Sequence, residues 1–132
     1  MATALHHLTI AEASRLITTR DLSPVELTRA FLDRIAALDA QVNAYLLVTA
    51  DLAIEQARKA EAEIMAGRHL GPLHGIPYAL KDIYDAAGLP TTAHSRVLGA
   101  ENVAAEDAAT TALLEQAGMV LLGKLATHEF AR

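Results

Sequence analysis

A lysine stands directly behind an apolar run in this chain: Ile76 to Leu80 carries no charge, Lys81 ends it, and Asp82 follows. At the end of a buried strand a lysine loses solvation, which disfavours its charged form and makes the neutral amine available as a general base. Strand ends are also where open sheets place their ligands. The plainer alternative is a lysine that snorkels to solvent or pairs with Asp82 or Asp85. Partners for a basic lysine are few. The only serines are Ser14, Ser23 and Ser95, and the absence of cysteine excludes disulfides and thiolate nucleophiles. Ser14 falls in a helical pattern and Ser23 is explained as a helix cap. Ser95, in TTAHS, is the one rival nucleophile for a Ser–Lys dyad.

Other chemistry is thin. The histidines His6, His7, His69, His74, His94 and His128 form no ligand pair on a helix and no H-E-x-x-H, so no metal site is expected. His74, in the turn LHGIP, reads as a structural hydrogen-bonding group. Lys124, after Gly123, reads as a structural or surface residue. The glycines form neither G-x-G-x-x-G nor a phosphate-binding loop, so no nucleotide and no other cofactor is expected.

The elements that must position Lys81 are an α/β set: N-terminal helices, then a βαβ unit. Residues 1–67 read as helical. A first helix starts near Thr9, with Ile10, Ala13 and Ile17 on one face. Ser23, Pro24 and Glu26 form a capping box with proline at the first helical position. Leu27, Phe31, Ile35 and Leu38 then mark one apolar stripe. A third helix runs from about Ala50 to Ala66, burying Ala53, Ala57, Ala60 and Ile64, with Gly67 as its stop. Its charged face is read as solvated.

From Gly71 the texture changes to glycine, proline and short apolar runs. Ile76–Leu80 is expected as one buried strand and Met119–Gly123 as a second, with a helix from Asp107 to Gly118 between them. That order implies a parallel pair with a right-handed crossover. A soft boundary falls near Arg68. One domain over residues 1–132 suits the pattern better than two, with a helical prefix (1–67) packed on the part that holds the lysine (68–132).

The totals set limits. A net charge of −5 over 132 residues argues against a nucleic-acid or anionic-membrane surface. The apolar content of 52% includes 28 alanines, so the bulky core is smaller than that figure implies. No apolar run reaches the roughly 18 residues of a membrane helix. The N-terminus lacks the basic-then-apolar pattern of a secretory signal, and the expected location is the cytoplasm.

Three blocks carry a resemblance: GPLHGIPYALKD (Gly71–Asp82), AGLPTTAHS (Ala87–Ser95) and DAATTALLEQAGMVLLGKLATHEFA (Asp107–Ala131). In order and spacing they resemble the amidase signature family over about residues 70–131, while the helical prefix is similar in character only. The resemblance implies hydrolysis of a carboxamide C–N bond through a Ser–cis-Ser–Lys triad, with Lys81 as the lysine and a small-molecule amide as substrate. It implies that both serines lie downstream of the block ending at Arg132. The chain is then the first part of a mixed-sheet amidase fold, inactive alone. The same resemblance implies a second reading, an amidotransferase A-type subunit releasing ammonia for misacylated tRNA. A third, from another class, is a non-catalytic small α/β binding module. The family often carries glycine where His94 stands, and TTAHS matches a loop that the family does not use as nucleophile. Neither the particular amide nor the oligomeric state is legible.

Overall fold

The computed structural model describes residues 4–132. Met1–Thr3, where the helical prefix and the reading of the N-terminus begin, lie outside the described residues. The chain is a mixed α/β structure. Helix α1 (Ile10–Thr18) opens on a complete capping box: Thr9 Oγ1 accepts from the Glu12 amide and Glu12 accepts from the Thr9 amide. Ala13 and Ile17 are its buried residues.

Helix α2 (Pro24–Val42) starts at Ser23, whose hydroxyl accepts from the amides of Val25 (3.0 Å) and Glu26 (3.2 Å). The expected capping box is therefore half formed. Ser23 Oγ donates instead to Glu61, tying the start of α2 to helix α3 (Ala50–Met65). Asn43 ends α2 in the left-handed conformation (φ 52), and Asp39 Oδ1 accepts from Ala44 and Tyr45 as the chain turns.

At this turn the prefix departs from its all-helical reading. Tyr45–Val48 is a strand, β1, running antiparallel to β3 (Val120–Leu125). Its four residues, YLLV, are all apolar and show no apolar–polar alternation in the sequence, and the partner strand is remote in sequence. Gly123 permits the pairing, because a Cβ there would collide with the Leu47 carbonyl oxygen. On its other side β3 pairs in parallel with β2 (Pro77–Lys81), giving the order β1-β3-β2. The crossover contains helix α4 (Ala109–Gln116), as the βαβ reading expects. Gly118 follows it with φ 76.

The central position of β3 makes it the buried strand. Val120 and Leu122 pack with Val25, Ala53 and Ala57, whereas Leu121 packs with Leu80 and Ala86. Ala53 and Ala57 are fully buried, so small side chains bring α3 close against the sheet. Thr49 and Gln56 complete the join: Thr49 Oγ1 donates to the Leu121 carbonyl and Gln56 Oε1 accepts from its amide. A third cluster joins Ile17, Leu27, Ile64, Ile76 and Met119. Each fully buried aliphatic chain contributes about 1.5–3 kcal/mol.

Candidate active site

Lys81 is the last residue of β2, beside Leu125 at the end of β3. Both strands run parallel to this point, so their carboxyl ends open on the same loops, Asp82–Ser95 and Ala126–His128. Within this chain Lys81 is exposed, contrary to the sheltered strand end expected for it. The physical reason is its place in the sheet: among the described residues β2 pairs only with β3 and is an edge strand. Among the described residues no side-chain hydrogen bond or ion pair reaches Lys81, so the expected alternative of pairing with Asp82 or Asp85 is not what it adopts.

The lysine that the fold does bury is Lys124. It is 1% exposed, which removes the surface half of its expected role and keeps the structural half. Its ammonium lies 2.8 Å from Asp82 Oδ1 and donates to the Pro90 carbonyl (2.9 Å) and Thr91 Oγ1 (3.0 Å). Asp82, also 1% exposed, accepts on Oδ2 from the Thr92 amide (3.0 Å) and hydroxyl (2.6 Å). Its backbone completes the join: its N–H donates to Leu125 and its carbonyl accepts from Ala93. One buried ion pair thus ties the ends of β2 and β3 to the loop carrying TTAHS. A lysine inside the apolar run MVLLGKLA was the available signal of this role.

The loop itself is held in an uncommon shape. Ala93 (φ 51) and His94 (φ 55) are consecutive left-handed residues. That conformation costs a non-glycine residue about 1–2 kcal/mol, which glycine would avoid. His94 offsets part of this cost by donating from Nδ1 to the Thr127 carbonyl. Its ring is exposed. Ser95, the rival nucleophile, is buried and donates its hydroxyl to Glu129 at 2.7 Å, while accepting from the Val97 amide. Its proton faces a carboxylate, and no hydrogen bond joins it to Lys81.

His74 has the structural role expected of it. Its Nδ1 accepts from the Leu70 amide (3.1 Å) and its Nε2 faces Glu63 at 3.2 Å. Burial pushes the imidazole below its usual value, with Glu63 pulling the other way. It lines a cavity of about 340 Å³ with Gln56, Lys59, Glu63, Glu115 and Met119, away from the loops around Lys81. No cluster of three or more His, Cys, Asp or Glu side chains suited to a metal occurs among the described residues. No helix among them is long and apolar enough to cross a membrane.

Residues 26–132 match the Amidase family, and the chain belongs to it. The match reaches back through α2, β1 and α3, so the likeness is not confined to the three blocks after residue 70. The chain is 46% identical to the A subunit of glutamyl-tRNA(Gln) amidotransferase from Thermobifida fusca (strain YX), over 98% of this chain and 26% of that one. It is 43% identical to an amidase of Pseudomonas putida, over 97% of this chain and 27% of the relative. The peptide amidase of Stenotrophomonas maltophilia superposes with a TM-score of 0.87 at 36% identity, over 94% of this chain and 26% of that structure. The chain therefore spans about a quarter of the length of the relatives it matches.

Proposed function

We propose that this chain contributes the base, Lys81, to an amide-hydrolysing site whose two serines belong to the part of the family's length that it does not span. The observation that carries this reading is a lysine without a side-chain partner among the described residues, at the carboxyl end of a parallel strand and next in the chain to a carboxylate already held by another cation. A serine hydroxyl attacks an amide carbonyl only when a base can take its proton, and a lysine is such a base only when uncharged. In a Ser–cis-Ser–Lys triad the second serine relays that proton to the lysine. The acyl-enzyme is then released to water or to another acceptor. Covering Lys81 with the remainder of the fold supplies the desolvation that an edge strand lacks. The chain alone, with Ser95 committed to Glu129, is expected to be inactive.

The test is a chimera in which this chain replaces the matching quarter of the Pseudomonas putida amidase. Amide turnover by the chimera, falling by roughly 10²–10⁴-fold in Lys81→Met, is the expected result. A folded, active chimera indifferent to Lys81 overturns the assignment. The 46% identity to the A subunit of a tRNA amidotransferase favours a second reading, ammonia release within such a complex. The same exchange into that protein, with amidation of misacylated tRNA as the assay, decides between the two.

A further inference from the structure

The chain has three lysines, Lys59, Lys81 and Lys124, and the two in the sheet are in opposite states. The ammonium of Lys124 donates to the Pro90 carbonyl and Thr91 Oγ1 and lies 2.8 Å from Asp82 Oδ1 as an ion pair. Asp82 is equally engaged, with Lys124 on one oxygen and the Thr92 amide and hydroxyl on the other. Lys81, the residue immediately before Asp82, is exposed and has no such partner among the described residues.

Stability alone does not account for this pair. Replacing a buried ion pair by apolar residues of similar volume is often neutral or stabilising, so its place beside Lys81 needs another reason. Asp82 is the adjacent carboxylate in the chain, and an opposite charge nearby favours the protonated form of an amine. A protonated amine takes no proton from a hydroxyl. We infer that Lys124 is a positioning residue for the amide chemistry: it occupies Asp82, keeps that carboxylate from pairing with Lys81, and holds Pro90–Ala93 against the end of β2. The inference rests on Lys81 being the base. Lys124 itself, enclosed between β3 and the loop, does not reach substrate.

The experiment uses the 132-residue chain and acetic anhydride, which acylates neutral amines. Peptide mass spectrometry gives the acylation rate of Lys81 relative to Lys59, which is exposed and serves as reference. In Lys124→Met the freed Asp82 pairs with Lys81, and the ratio falls about two- to fivefold, the range of a solvent-screened pair. In the double variant Asp82→Asn with Lys124→Met the ratio returns to the parental value. An unchanged ratio in folded Lys124→Met, or an equal fall in the double variant, overturns the inference. Should circular dichroism show Lys124→Met unfolded, Lys124→Gln, which still donates toward Pro90, makes the same comparison. If both single variants unfold, Lys124 is needed for the fold itself and the positioning role is overturned. The functional reading fails separately. A Lys81 that behaves as predicted here, in a chain whose chimera ignores Lys81→Met, removes the base and leaves the pairing intact.

Discussion

Asp82→Asn is the substitution from which the fold has most to lose. It leaves the buried Lys124, 1% exposed, without its counter-ion between the end of β3 and the loop. Breaking a buried pair by removing one partner costs about 3–5 kcal/mol, because a charge is left uncompensated. Lys124 keeps the Pro90 carbonyl and Thr91 hydroxyl, and the asparagine oxygen can still accept from Thr92, so the lower end, about 3 kcal/mol, applies. Against a total of about 5–15 kcal/mol for a domain, that is a large fraction. With a urea m-value of about 1–3 kcal/mol per molar, the unfolding midpoint drops by roughly 1–3 M. Urea titration followed by circular dichroism measures it. The double variant with Lys124→Met loses both charges together and recovers most of the stability. A single variant costing less than about 1 kcal/mol, or a double variant as unstable as the single, refutes the reasoning.

Other expectations rest on particular contacts. Gly118→Ala places a Cβ against the buried His74 ring at φ 76, adding a clash to a left-handed backbone; we expect a loss of about 2–4 kcal/mol in the same titration. Burial holds the His74 imidazole below its ordinary value, so as pH falls below about 6.5 the unfolded chain binds the proton that the folded chain resists. Stability from neutral His74 is complete above that pH and is lost on acidification through the folded value. The melting temperature therefore falls between pH 7 and pH 5, and His74→Asn flattens the dependence. Finally, among the described residues β1 and β2 each pair only with β3, leaving two open strand edges; light scattering is expected to show association that rises with protein concentration. A monomer at every concentration contradicts that expectation.

Local signals made much of the framework legible. Thr9 with Glu12, Ser23 with Pro24, the buried Ala13 and Ile17 of α1 (its Ile10 is exposed), the buried face of α3, and the stops at Gly67 and Gly118 all come from short-range chemistry. The strand–helix–strand order after Gly71 comes from apolar runs set between turn residues, and the motif blocks that carry the family likeness lie in the same stretch. The role of His74 was legible too, since its turn has amides to satisfy.

Burial of the two sheet lysines was not legible, because it depends on strand order. Lys124 stands inside the apolar run MVLLGKLA and Lys81 ends one, but that local difference does not by itself fix which ammonium is enclosed. The antiparallel pairing of Tyr45–Val48, a segment too short to announce itself, made β3 the central strand and left β2 at an edge. That arrangement enclosed Lys124 with Asp82 and exposed Lys81. Residue types and spacing determined which elements form and which lysine the family pattern marks. Only the long-range pairing of strands decided which ammonium lost its water, since desolvation is set by neighbours in space.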